Sequence, residues 1–174
     1  MMILLTGGAA NGKSTFAESL CMQADGPRFY LAAMRPYGPE GEARIARHRK
    51  LREGKGFATI ERYTDYTSLV LPARGTALLE CIANLTANEM FDEAGAMTDP
   101  ETAVLSGVDA LRAQCDLLVV ITNDVGSDGC AYPPETRAYV NVLGRINAAL
   151  AARADTVCEL VAGIPILLKG ALPV

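Results

Sequence analysis

The stretch Gly7-Gly-Ala-Ala-Asn-Gly12-Lys13-Ser14 restricts this chain more than any other, because it follows the apolar run Ile3-Leu4-Leu5 and precedes an amphipathic helical segment. That is P-loop spacing in the strand-then-helix context the motif requires. Backbone N–H groups can wrap a polyphosphate only where the chain reaches positive φ and no Cβ intrudes, which is the work of Gly7, Gly8 and Gly12. Gly8, Ala9 and Ala10 make the loop lean and apolar, Asn11 completes it, and a helix beginning near Ser14, with Thr15 in its first turn, points its N–H groups and positive dipole end at the same anion. Lys13 is then expected to reach the outer phosphates and the Ser14 hydroxyl to ligate Mg²⁺. A glycine-rich turn can also simply join a strand to a helix, but here the whole motif stands in frame. The ligand class follows and the reaction does not, since P-loops serve kinases, NTPases and switches alike.

The order of the remaining elements supplies the fold. Apolar runs at Arg28–Ala33, Phe57–Glu61, Thr76–Cys81, Leu117–Thr122, Thr156–Val161 and Ile164–Leu168 read as strands. Between them lie helical segments at Lys13–Met22, Glu40–Glu53, Leu85–Glu93, Pro100–Gln114 and Pro134–Arg153, with a weak helical turn at Asp65–Leu69. Continuously apolar strands alternating with helices predict a P-loop NTPase-like three-layer α/β fold, a mostly parallel sheet with helices on both faces. The last two strands, split by Gly163, are expected to form an antiparallel edge. Ligands in such sheets bind at the carboxyl ends of the strands, which sets Gly7–Ser14, Ala32–Met34, Glu80 and Asn123-Asp124 along one rim. At 174 residues, 50% of them hydrophobic, the chain suits one domain over residues 1–174.

A net charge of −4 and a pI near 5.0 argue against a general nucleic-acid binder. The five cysteines contain no C-x-x-C pair and there is one histidine, so a zinc site is not expected and a reduced, cytoplasmic setting is. No apolar run reaches the length of a membrane span, and no charged region precedes the first strand as in a signal peptide.

Two further features carry possible chemistry. Glu80, near the end of an apolar strand, is placed to hold Mg²⁺, or else simply leaves the sheet or caps the following helix. His48 lies in Arg44-Ile-Ala-Arg-His-Arg-Lys-Leu-Arg52, where Arg44, His48 and Arg52 share a helix face with Arg47 and Leu51 beside them. Neighbouring positive charge disfavours an imidazolium, so the ring would stay nucleophilic while the arginines receive phosphate oxygens. The alternative is a solvated basic helix that happens to contain a histidine.

The segments GGAANGKS, RIARHRKLR, LLECIANLTAN (Leu78–Asn88), VVITNDVG (Val119–Gly126) and GRINAALAARADTVCELVAG (Gly144–Gly163) occur in the order found in the adenosylcobinamide kinase / adenosylcobinamide-phosphate guanylyltransferase family, which the chain resembles over nearly its whole length. That resemblance implies phosphorylation of the aminopropanol hydroxyl of adenosylcobinamide, then transfer of GMP from GTP through a guanylyl-histidine, in cobalamin nucleotide-loop assembly. It implies His48 as the nucleophile, Lys13 and Ser14 as the P-loop pair, Glu80 as the strand-end acid, Mg²⁺ with GTP or ATP, a corrinoid substrate and a trimer. The chain departs from the family pattern at residues 32–41, in the loop 127–134, at Asp124 where Glu is common, and at Phe57 or Ala58 where Trp is usual. Guanine preference comes from the resemblance alone, for no N-K-x-D motif is present. Two other readings stay open, a P-loop small-molecule kinase without a covalent step and a non-catalytic nucleotide-binding protein.

Overall fold

The computed structural model describes residues 1–91, 99–126 and 129–173, with the side chains of Glu40 and Arg44 left aside. Among the described residues seven strands form one sheet: β1 (Met2–Thr6), β2 (Arg28–Ala32), β3 (Phe57–Glu61), β4 (Thr76–Leu79), β5 (Leu117–Ile121), β6 (Thr156–Val161) and β7 (Ile164–Lys169). Their order is β3-β2-β4-β5-β1-β6-β7. Every pairing is parallel except that of β6 with β7. The helices are α1 (Lys13–Gln23), α2 (Gly38–Arg52), α3 (Ile82–Met90), α4 (Pro100–Gln114) and α5 (Pro134–Arg153), with a 3₁₀ turn at Tyr66–Ser68.

Alternation along the central strands explains the three layers. Leu4, Leu79, Leu118 and Val120 point to one face, where Val104, Val108 and Leu111 of α4 and Leu143, Ile146 and Leu150 of α5 cover them. Ile3, Leu5, Leu78, Val119 and Ile121 point to the other, beneath Ala17, Leu20 and Cys21 of α1. Both sets are buried, which is why these strands read as unbroken apolar runs. The edges differ: β7 is exposed along its whole length, and β3 is mostly so.

Several element ends differ by a residue or two from the sequence reading, β4 stopping at Leu79 rather than Cys81, and two helix starts differ for a visible reason. The third helix begins at Ile82 rather than Leu85, because Cys81 leaves the sheet and its Sγ accepts the Asn84 N–H at 3.4 Å as an N-cap. The second begins at Gly38 rather than Glu40, with a proline in its first turn. The expected end of the third helix, at residues 92–93, lies outside the described residues, as do 127 and 128 of the loop before α5.

Candidate active site

The first locus is the loop between β1 and α1. Gly7 (φ +127°) and Gly12 (φ +83°) occupy left-handed backbone, as does Ala10 (φ +58°), whereas Gly8 does not. A Cβ on Gly7 would stand 2.6 Å from the Leu160 carbonyl oxygen of β6, so that glycine is set by a neighbouring strand as well as by its own turn. The same carbonyl accepts the Asn11 side-chain N–H at 3.0 Å. The tip of the β6–β7 hairpin, Ala162-Gly163, closes the contact, with Gly163 Cα 3.4 Å from where a Gly12 Cβ would lie. Gly7→Ala is expected to cost about 1–3 kcal/mol from strained φ alone. Denaturant titration measures this, and the loop should lose its nucleotide even where the variant still folds.

Gly12 stands at the N-cap of α1, so the first-turn N–H groups of Lys13, Ser14 and Thr15 face the loop. Lys13 is buried, and its Nζ donates to the carbonyls of Gly7 at 2.8 Å and Gly8 at 2.6 Å. Burial holds its pKa below the usual lysine range, an effect that the nearby Cys81 opposes. Ser14 is half-buried, and Ala9, Ala10 and Thr15 are exposed. The neighbouring strand ends converge here as the rim expectation requires: the Asp124 N–H donates to Gly7 O at 3.4 Å, and the Asn123 amide donates to Cys81 Sγ at 3.6 Å.

The second locus is a cavity of about 290 Å³ between α2 and the ends of β2, β3 and β4. His48, Arg49 and Arg52 enter it from α2, with Glu61, Tyr63 and Glu80 opposite. His48 and Arg52 do share one helix face. Arg52 is 7% exposed, and its guanidinium carbon lies 3.4 Å from the centroid of the Tyr30 ring. Its Nε and Nη1 are buried without a hydrogen-bond partner among the described residues. Burial first, then the charge of Glu80, raises the Tyr30 pKa above the usual tyrosine range. His48 Nδ1 lies 4.0 Å from Glu80 Oε1, the side chains being 17% and 8% exposed. Arg49 is drawn off by an ion pair with Glu61. Arg47 is exposed and does not line the cavity, and the Arg44 side chain lies outside the described residues.

The predicted residues thus fall into two groups, Gly7–Thr15 at one and His48, Arg52 and Glu80 at the other, and none of the cavity-lining residues comes from the P-loop. Glu80 stands at the strand end where the metal role is expected, with its carboxylate also facing the imidazole. Tyr30 could not be recognised beforehand, since a tyrosine inside an apolar strand reads as core. Among the described residues no three His, Cys, Asp or Glu side chains cluster as a metal cage, and no helix is long and apolar enough to cross a membrane.

A family model described as "Cobinamide kinase / cobinamide phosphate guanyltransferase" matches residues 3–168. The chain belongs to the cobinamide kinase / cobinamide phosphate guanyltransferase family. Family members similar to it include the bifunctional adenosylcobalamin biosynthesis protein CobU of Escherichia coli K12, 33% identical over 184 residues. The protein of that name from Salmonella typhimurium LT2 is 34% identical over 185 residues, and each alignment covers 97% of this chain and 100% of the relative. The fold is also that of an ATPase from a type III secretion system, with TM-score 0.52 and 13% identity over 92% of this chain and 51% of that one. A Pyrococcus horikoshii OT3 protein, PH0250, gives TM-score 0.51 and 11% identity over 97% and 86%. This family member is therefore a P-loop α/β transferase of cobalamin biosynthesis.

The donor set suits Mg²⁺ in the usual P-loop manner. Mg²⁺ keeps several waters and binds through few protein oxygens plus substrate phosphates, so one half-buried hydroxyl at Ser14 fits and a dedicated cage is not needed.

Proposed function

We propose that this chain phosphorylates adenosylcobinamide with GTP or ATP and then guanylylates the product through His48, as a cytoplasmic enzyme. The observation that carries this reading is the convergence on one cavity of His48 and the buried N–H groups of Arg52, which have no hydrogen-bond partner among the described residues. A buried guanidinium with open donors is costly unless an anion completes it, and a phosphate oxygen is the acceptor whose geometry it matches. The imidazole one helical turn away then lies beside that phosphate.

In the kinase step, Lys13 and the N–H groups of the loop and the first turn of α1 hold the β- and γ-phosphates while the substrate hydroxyl oxygen attacks the γ-phosphorus. The bond from that phosphorus to the β–γ bridging oxygen breaks, the nucleoside diphosphate leaves and the hydroxyl proton is released. Bound at Ser14, Mg²⁺ would supply charge neutralisation between those phosphates. In the transfer step the His48 Nε2 lone pair attacks the α-phosphorus of GTP, a P–N bond forms, the bond to the bridging oxygen breaks, and pyrophosphate leaves. An oxygen of cobinamide phosphate then attacks the same phosphorus, the P–N bond breaks, and the ring is restored. In our reading the two loci meet across a subunit boundary, α2 of one subunit offering His48 to a neighbour's P-loop in the trimer that the resemblance implies.

The direct test is GTP labelled at the α-phosphate. Label should remain on the denatured protein, lost in acid and kept in base as a phosphoramidate is, with pyrophosphate released; no retained label would leave only the kinase reading. Arg52→Met separates function from folding. It removes a cation–π contact worth about 2 kcal/mol when desolvated but also removes buried open donors, so stability should change by less than about 2 kcal/mol. Adduct formation should nevertheless fall about tenfold or more, the loss of one charge-assisted hydrogen bond.

A further inference from the structure

Resting on that covalent reading, we propose that Glu80 is the positioning residue for His48, its carboxylate accepting the Nδ1–H so that Nε2 is left bare toward the nucleotide. Which imidazole nitrogen carries the proton is decided by the partner of the other one. Nδ1 is the nitrogen that faces Glu80 Oε1, at 4.0 Å. The separation is longer than a hydrogen bond, but such contacts in substrate-free sites are commonly long and tighten when the complex forms.

The surroundings favour Glu80 over the other acids of the cavity. Glu61 is engaged by Arg49, and Glu42 is an exposed residue of α2 itself. Whereas Glu61 ends the edge strand β3, Glu80 stands at the end of an inner strand. It follows β4 directly, its backbone N–H donates to Leu31 O at 3.1 Å, and it is buried, so the carboxylate is held on a rigid base. The chemistry needs such a partner: as Nε2 forms the P–N bond, the ring becomes cationic while keeping its Nδ1 proton, and the facing carboxylate balances that charge. When cobinamide phosphate displaces the ring, the Nε2 lone pair returns and the Nδ1 proton has never left.

The chain has a single histidine, so ¹⁵N-histidine labelling reports His48 without ambiguity. The neutral ring of the parent should be the Nδ1–H tautomer. Glu80→Ala should return it to the Nε2–H form that unrestrained imidazole favours, and should slow adduct formation from α-labelled GTP by about a hundredfold. Glu80→Gln, whose amide oxygen can still accept, should retain the tautomer and recover part of the rate, with the Mg²⁺ dependence of the kinase step unchanged. An Nε2–H ring in the parent, an Nδ1–H ring that persists in Glu80→Ala, or a raised Mg²⁺ requirement in Glu80→Gln would each overturn the assignment. If the parent takes up label at His48 while the tautomer ignores Glu80, the positioning role alone fails; if the parent takes up no label, the covalent reading fails first.

Discussion

Lys13→Ala should abolish nucleotide binding and both partial reactions. Nζ already points inward along the loop, donating to Gly7 O and Gly8 O, so a phosphate arriving between those backbone groups finds a fixed cation. Charge-assisted hydrogen bonds are worth about 1.5–3 kcal/mol each, and two of them correspond to roughly a hundredfold or more in affinity. Calorimetry with Mg·GTP measures the loss; binding as tight as the parent's would remove the P-loop from the mechanism. Folding should survive. Burial lowers the Lys13 pKa, meaning that the unfolded chain holds this proton more firmly than the folded one. The charged amine therefore opposes folding at neutral pH, and its cost fades as pH rises toward the ordinary lysine range. Lys13→Met should accordingly melt no lower than the parent at pH 7, and its margin over the parent should shrink in alkaline buffer.

His48→Asn should eliminate the α-phosphate adduct and guanylyl transfer while leaving phosphorylation of adenosylcobinamide largely intact. The two effects separate because the kinase step uses the P-loop locus and the adduct needs the imidazole in the α2 cavity. No other imidazole is available to substitute, so the loss should be complete within detection. Label that persists in the variant, or that maps by peptide mass spectrometry outside Arg44–Arg52, would end the covalent proposal. Mixing His48→Asn with Lys13→Ala adds a second outcome. If each site is built from two subunits, some sites in the mixture combine an intact His48 with an intact P-loop and labelling returns; if each subunit works alone, it does not.

Much of this was legible in the residues and some was not, for physical reasons. Strands β1, β4 and β5 are buried on both faces, so their apolar runs are uninterrupted and easily recognised. The start of α3 was hidden because its cap is a cysteine, a residue that seldom serves there and that reads as the end of a strand. Strand order was also hidden, since β5 lies between β1 and β4 and no local pattern encodes a crossover. The glycine spacing announced the phosphate loop, yet nothing nearby revealed that Leu160 sets its shape. On α2, helical spacing put His48 and Arg52 on one face, but it placed them among cations. Only the fold brings Glu80 and Tyr30, from two central strands, against that face.

The backing of the phosphate loop has a consequence for the order in which this protein becomes competent. The loop is made before the strands that back it, for the carbonyl that fixes Gly7 and Asn11 arrives 149 positions after Asn11. β1 itself waits between two partners, β5 and β6, that both come from the later part of the chain. A nascent chain displaying the entire glycine motif would thus be unable to hold a nucleotide until β6 and its hairpin have docked. Synthesis runs well ahead of binding, and nucleotide can stabilise only chains whose sheet is already closed around β1.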